Sequence, residues 1–445
     1  MRNSPFFFLI LFLTLAVSSI YAQNNYWQRV GLGCNERIRA MYSDTNYLYL
    51  AGSFSTCNGD TGFGIGLFDG NSFSLINKPK SIYNFGMKTS IAKYLNKIYI
   101  AGELVYPPFT ISEGLHYLSG DSAVFFAKVD YGTEYILTEI GNELYVGGTF
   151  DTIDSTPANS IARWDGQNWE PIGNGLRQMV FTITEYNGEI IAGGNFNDSL
   201  NEIARWDGTK WNKMGNGFTG GMASVGVLQV YKGKLYAGGG FSPVDGNLGN
   251  GIAAWDGTQW AAVEKNLSTD FIGISDMEVF NNELYVAGTF DSIGGIRANG
   301  IAKFDGTRWC SLGNFDGGYC YILEIAFFQN ELYAATQYYT FGGDTVNYFM
   351  KWNGPLDSYE CGPIVTGLEE NTQAINSIIT PNPASSMLHI ETQSNFITLT
   401  DLTGKILLTV PTKHSETQID ISSFANGIYF LKTENGHTQK LIIQH

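Results

Sequence analysis

The stretch IARWDGQNWEPIGNG spans residues 161–175, and IARWDGTKWNKMGNG spans residues 203–217. A chain that repeats itself 42 residues apart (203 − 161) is built from one unit used several times. Within the unit, IARW reads as a short strand that ends at an Asp-Gly turn, the strongest local hairpin signal. A second aromatic follows the first by five residues: Trp164 and Trp169, Trp206 and Trp211, Trp255 and Trp260, Phe304 and Trp309, Phe68 and Phe73. Such a pair flanks the turn on adjacent strands, where ring contacts stabilise a sheet.

A second element alternates with the first. It is a strand ending in small residues: LYLAGSF from Leu48, IYIAGEL from Ile98, LYVGGTF from Leu144, IIAGGNF from Ile190, LYAGGGF from Leu235, LYVAGTF from Leu284 and LYAATQY from Leu332. The Asp-Gly element has matching copies at Ile65, Phe126 (FAKVDYGTEY, eroded), Ile161, Ile203, Ile252, Ile301 and Phe349 (FMKWNG). Four short strands per unit of about 48 residues predict a β-propeller blade. Seven units predict seven blades. The segment YWQRVG near the N-terminus matches the second half of the hairpin, as in NWEPIG, and FMKWNG supplies a first half. A strand from the N-terminus is therefore expected to complete the last blade and join the ends of the ring.

The units resemble kelch-type repeats in the small-residue doublet after an apolar strand and the paired aromatics around a turn. The DGTxW pieces are similar to the Asp-box hairpins of sialidase-like propellers, one residue shorter. The resemblance implies a propeller and says little of activity, because one fold hosts many functions.

The ends of the chain differ from the repeats. MRNSPFFFLILFLTLAVSSIYA has one basic residue, Arg2, and an apolar run from Phe6 to Val17, and it predicts a secretory signal peptide over residues 1–22, cleaved between Ala22 and Gln23. The propeller is expected over 23–363 and a polar linker over 364–377. Residues 378–445 then read as six short alternating strands, a small Ig-like β-sandwich. This module resembles the type A C-terminal sorting domain of type IX secretion. The resemblance rests on PNP at Pro381–Pro383, LHI, the turn DLTGK, IDISSFANGIYFLK and a terminal KLIIQ. It implies a Bacteroidetes-type source, the type IX secretion machinery as a partner, passage across the outer membrane, and a secreted or surface-attached product. An ordinary Ig-like accessory domain is the plainer alternative.

Composition narrows the function. The chain has 445 residues, a net charge of −16 and no Lys/Arg cluster, which argues against nucleic acid. No apolar run of the mature chain is long enough to span a bilayer. Five cysteines (Cys34, Cys57, Cys310, Cys320, Cys361) in an exported chain permit disulfides and leave one thiol over. Cys310 with Cys320 is the expected bridge. Without a CxxC pair, zinc is not expected.

All nine tryptophans fall on repeat positions, so they read as packing rather than a sugar platform. The turn aspartates Asp69, Asp165, Asp207, Asp256 and Asp305 likewise read as turn formers. Only His116 lies in the propeller, too few histidines for a copper site of the galactose-oxidase type or a supported catalytic triad. Arg163 and Arg205 occupy repeat positions. Two carboxylates suffice for a glycosidase, so counting does not remove that class. The triplets DTI, DSL, DSI and DTV resemble the Bacteroidetes O-glycosylation motif, which would place glycans on Thr152, Ser199, Ser292 and Thr345; the alternative is a turn that opens a loop. The least repetitive loops, 105–120, 242–251 and 315–321, are where a site is expected. No cofactor is assigned; calcium has candidate oxygen ligands there but no EF-hand spacing. The leading expectation is a non-catalytic surface module that binds a glycan or a protein. A carbohydrate-active hydrolase or lyase is the first alternative, and a purely structural component the second.

Overall fold

The computed structural model describes residues 26–445 except 63, 77–80, 83–88, 107–109, 131, 133–134, 197–198, 221–222, 243–248, 264–272, 313–320, 342–343, 357–360, 363–376, 381–383, 393–395, 402–404, 413–415 and 434–437. The chain forms two compact units, residues 1–365 and 366–445. All regular structure among the described residues is β.

The first unit is a β-propeller. Its sheets are antiparallel and mostly four-stranded, and each starts on an innermost strand. The third sheet shows the pattern: Tyr135–Ile140, Glu143–Gly148, Ile161–Trp164 and Trp169–Pro171. The innermost strands are Ile38–Ser43, Ser90–Tyr94, Tyr135–Ile140, Met179–Tyr186, Ser224–Tyr231, Gly273–Phe280 and Ile322–Phe328. Each lies beside the next, and Ile322–Phe328 lies beside Ile38–Ser43, so the ring closes.

The apolar core lies in the seams between sheets. Ile172 and Tyr145 of the third sheet pack with Ile183 and Ala192 of the fourth, and Tyr186 and Ile191 of the fourth pack with Leu228 and Leu235 of the fifth. Leu48 and Phe68 of the first sheet pack with Phe328 and Tyr333 of the last. This geometry explains the small-residue doublets. A Cβ added at Gly193 would lie 2.5 Å from Val225 of the next sheet, and one at Gly238 would lie 2.7 Å from Ile274. The second strand is buried on both faces, so its neighbour's innermost strand approaches only if that position stays small.

The ring is joined as the sequence predicts. Trp27–Arg29 pairs antiparallel with Phe349–Trp352, placing Trp27 opposite Trp352 as Trp169 stands opposite Trp164. The loop that follows matches its counterparts. Asn159 Nδ2 donates to Asn174 O (2.9 Å) and Asn201 Nδ2 to Asn216 O (2.6 Å); across the closure, Asn347 Nδ2 donates to Leu32 O (2.7 Å). These asparagines hold a left-handed backbone, φ 48°, 54° and 48°, which asparagine tolerates better than most residues. They precede IARW-type strands by two residues, a repeat feature that the aromatic pattern hides. A disulfide from Cys34 to Cys57 then ties the closing segment to a small separate hairpin, Thr56–Cys57 with Asp60–Thr61, between the second and third strands of the first sheet.

Two expectations are corrected. Cys310 bonds Cys361 rather than Cys320, which lies outside the described residues. Cys310 sits on an outermost strand, Trp309–Ser311, and Cys361 bridges to it backbone to backbone, so the chain end returns to the blade edge. Proximity in sequence was a poor guide because the partner is set by that return. The second correction is the eroded copy at Phe126. The second sheet continues from Ser90–Tyr94 through Lys97–Tyr106, Thr110–Ser119 and Ser122–Asp130 before the small hairpin at 152–157 adds to its edge, so the hairpin turns at Gly120 (φ 60°) and Asp121. FAKVD is the end of the outer strand, and Tyr135 already starts the next sheet. The aromatic role survives, because Phe126 packs edge-on to Trp164 at 5.2 Å.

The second unit has two sheets. One orders Ser377–Thr380, Met387–Thr392 and Glu416–Asp420; the other orders Ile406–Pro411, Phe396–Thr400, Gly427–Thr433 and Thr438–Ile443. Leu388, Ile390 and Ile419 from the first share a core with Ile397, Leu399, Leu431 and Leu441 from the second.

Candidate functional site

The most conspicuous side chains are consumed by the fold. The hairpin aromatics meet across strands, with ring centroids 5.3 Å apart for Trp164 and Trp169, 5.6 Å for Trp206 and Trp211, and 5.4 Å for Trp255 and Trp260. Each turn aspartate accepts two backbone N–H groups on Oδ1. For Asp165 the donors are Gln167 and Asn168, both at 2.7 Å. The Gln259 amide, then the Thr258 hydroxyl and amide, pull Asp256 down to about 2. These carboxylates are fixed acceptors at turns, with the glycine after each at φ near 100°, for example Gly166 at 102°. Arg163 is bound to Glu143 (3.1 Å) and Glu170 (2.8 Å), and Arg205 to Glu189 (3.4 Å). The same cross-strand position carries Lys303 with Glu283 and Lys351 with Glu331, each at 2.9 Å.

The triplet residues occupy comparable loops. Thr152, Ser292 and Thr345 lie on two-residue strands of small hairpins at 152–157, 292–297 and 340–345. Ser199 lies in an exposed turn, Thr345 is exposed, and Thr152 and Ser292 are half-buried. The Thr152 hydroxyl donates to Asp130 Oδ2 at 2.8 Å. Ala22 and Gln23 lie outside the described residues. His116 is buried against the Phe125 ring at 5.6 Å, and burial pushes it down to about 4, so it is a neutral packing residue.

One polar cluster is not a repeat product. It lies at the mouth of the ring where the innermost strands begin, between the first and last sheets. Arg37 Nε donates to Gln337 O (3.3 Å), and Arg39 Nε to Ser53 Oγ (3.4 Å). Arg39 enters through a bulge, because the Ile38–Ser43 strand shifts register between Ile38 and Ala40. Burial and the charge of Arg37 lower Arg39, while Glu36 and Tyr321 oppose them. Burial and Tyr338 raise Tyr321, and burial and Glu36 raise Tyr348. Tyr338 and Tyr339 stand 47% and 58% exposed. The mouth therefore offers two arginines and exposed phenols in one patch. Tyr321 belongs to the 315–321 loop flagged in the sequence; Arg37, Arg39, Tyr338 and Tyr339 carried no such signal, because they come from opposite ends of the chain.

A second group lies on the Gly273–Phe280 strand. Asp276 Oδ2 accepts Ile325 N and Oδ1 accepts Met277 N, both at 2.8 Å. Asp276 thereby clasps the next innermost strand, as Ser90 Oγ does when it accepts Leu137 N at 3.0 Å. Glu278, two residues on, is pushed up to about 8 by burial and then by Asp276. A carboxyl raised in the folded state is a liability at high pH. Native protein holds the extra proton between about pH 4.5 and 8, so stability falls as pH rises through that window. Glu278→Gln is expected to be more stable than wild type by about 1–2 kcal/mol at pH 8, and equal to it at pH 4.5 or below. Thermal unfolding of both proteins at the two pH values checks this; a pH-independent difference would refute it. Among the described residues, no group of three or more His, Cys, Asp or Glu side chains is placed to hold a metal ion.

Residues 379–444 match the family described as secretion system C-terminal sorting domain. The match is to a type IX secretion sorting domain, and it marks the protein for export to the outer surface or for release. No curated protein matches the chain. Among solved structures, the chain is similar to the extracellular domain of BT4673 from B. thetaiotaomicron, at 11% identity and a TM-score of 0.45, over 92% of this chain and 56% of that one. It is similar to virginiamycin B lyase from Staphylococcus aureus at 12% identity and a TM-score of 0.42, over 73% and 98% of the two chains. It is also similar to BamB from Moraxella catarrhalis at 12% identity and a TM-score of 0.34, over 75% and 98%. No helix among the described residues is long and apolar enough to cross a membrane.

Proposed function

We propose that this protein is a non-catalytic glycan-binding module presented outside the cell. In this reading the signal peptide 1–22 is cleaved between Ala22 and Gln23. Seven kelch-like blades occupy 23–363, and an Ig-like type A sorting domain, 378–445, follows a linker at 364–377. The observation that carries the binding role is the mouth patch of Arg37, Arg39, Tyr321, Tyr338 and Tyr339. Exposed tyrosine and arginine together give rigid aromatic area and forked hydrogen-bond donors, the side chains that dominate binding energy at interfaces. The test is a glycan and polysaccharide array with the exported chain, with and without calcium, followed by titration of any binder. Tyr339→Ala and Arg37→Ala are expected to weaken binding by about tenfold or more each. Unchanged affinity in both variants would remove the mouth as the site.

The second reading is a carbohydrate-active hydrolase, favoured by Glu278 held protonated near Asp276. It requires that bound polysaccharide be cleaved and that Glu278→Gln abolish cleavage. The clasp of Asp276 on the neighbouring strand favours the structural role instead.

A further inference from the structure

At two successive junctions the hairpin tryptophans cover the sheet before them. A Cβ on Gly173 would lie 2.5 Å from the Trp206 ring, and one on Gly215 would lie 3.0 Å from the Trp255 ring. The second indole of each hairpin donates backwards: Trp211 Nε1 to Ile172 O at 3.2 Å, and Trp260 Nε1 to Met214 O at 3.0 Å. Where the ring closes, the matching glycine is Gly31 and the matching carbonyl is Val30 O. The hairpin there carries Phe68 and Phe73, whose centroids are 4.6 Å apart. Phenyl rings are smaller than indoles and have no N–H to donate. The Asn58 side chain covers Gly31 in place of an indole, its Oδ1 2.3 Å from where a Cβ would stand, and a cavity of about 310 Å³ remains beside it, lined among others by Arg29, Gly31, Asn58, Asn71, Lys351 and Asn353.

The chemistry of this cavity is distinctive. The chain has a net charge of −16, yet the lining holds two cations and no carboxylate. Arg29 is anchored through Nε on Gly31 O at 2.9 Å, and Lys351 is steadied by Glu331, outside the lining, at 2.9 Å. Asn58 Oδ1 accepts Leu32 N at 3.0 Å, which orients its amide. Val30 O accepts Gly33 N at 2.9 Å, as Met214 O accepts Gly217 N at 3.0 Å, but the indole donor that Met214 O also receives has no equivalent in Phe73. The ligand must therefore accept from cations, exchange hydrogen bonds with amides, and donate to a carbonyl. An inorganic oxyanion that only accepts uses the cations and amides but not the second lone pair of Val30 O, whose first already receives Gly33 N. A pyranose bearing a carboxylate meets all three demands.

We infer that the ring-closure cavity binds an acidic sugar residue, its carboxylate on Arg29 and Lys351 and its hydroxyls on the asparagines and Val30 O. This site is separate from the mouth patch and does not rest on it. The experiment is calorimetric titration of the exported chain with galacturonate and short oligogalacturonides, against glucose and sulfate as probes. Phe68→Trp introduces the residue found at this place in four other repeats (Trp164, Trp206, Trp255 and Trp352) and adds bulk to the cavity wall; Arg29→Met removes an exposed cation. Galacturonate is expected to bind at least about tenfold tighter than glucose or sulfate, and each variant is expected to weaken it by about tenfold or more. Arg205→Ala, at a repeat position of the fourth sheet paired with Glu189, should leave it unchanged. Absence of uronate binding, sulfate binding of equal strength, or full affinity in Phe68→Trp would each overturn the assignment. An effect of Arg37→Ala alone would move the sugar to the mouth.

Discussion

Trp27→Ala is expected to lower the stability of the propeller by about 3–5 kcal/mol, the range for emptying a buried tryptophan site. The indole is 2% exposed. It packs edge-on to Trp352 at 5.2 Å and Phe341 at 6.2 Å, and Nε1 donates to Leu312 O at 2.9 Å. The substitution opens a cavity and also leaves a carbonyl of the preceding sheet without its donor. The strand it anchors, Trp27–Arg29, is the outer strand of the last sheet and holds the two ends of the ring together. Trp164→Ala is the matched control, since that indole is only half-buried and belongs to a continuous hairpin. It should cost about half as much or less, because less area returns to water. Urea unfolding followed by tryptophan fluorescence measures both. Equal losses, or no loss in Trp27→Ala, would show that closure contributes little.

The second large effect concerns the disulfide from Cys310 to Cys361. It closes a loop of 51 residues in sequence separation. In the chain-entropy view, a loop of that length restricts the unfolded chain enough for the Cys310→Ala/Cys361→Ala double variant to lose about 2–4 kcal/mol. Cys320→Ser should leave stability and the bridge intact. Peptide mapping of unreduced protein checks the pairing directly. A peptide joining residues 310 and 320 would overturn it, and so would a double variant as stable as wild type. The bridge also places the end of the propeller segment on a blade edge, at the point where the chain leaves for the sorting domain.

Much of the fold was legible because a propeller writes its contacts locally. Trp164 meets Trp169 across one turn, and Asp165 is bound by the two residues that follow Gly166. Such contacts span five residues or fewer, so spacing reveals them. The same regularity removed false sites: Arg163 and Arg205 recur because each pairs with a glutamate across one strand. Where the sequence departs from the repeat, local reading failed. FAKVD looked like the first strand of an Asp-Gly hairpin, because an aromatic and an Asp stood at the right spacing. The Gly120 turn upstream set the register instead.

The sequence by itself determined the repeat, the strand order within the sheets that keep it, the closing strand at the N-terminus and the sorting domain at the C-terminus. All of these depend on side chains close together along the chain, or on a motif read in one piece. Only the tertiary structure decided which cysteine pairs with Cys310. It also decided that Arg37 meets Gln337, 300 residues away, and that a cavity lined by Gly31 and Phe68 opens at the ring closure. The last two features arise where the first and last sheets face each other. Ring closure brings together residues with no short-range relation, so nothing in their local spacing could announce the contact.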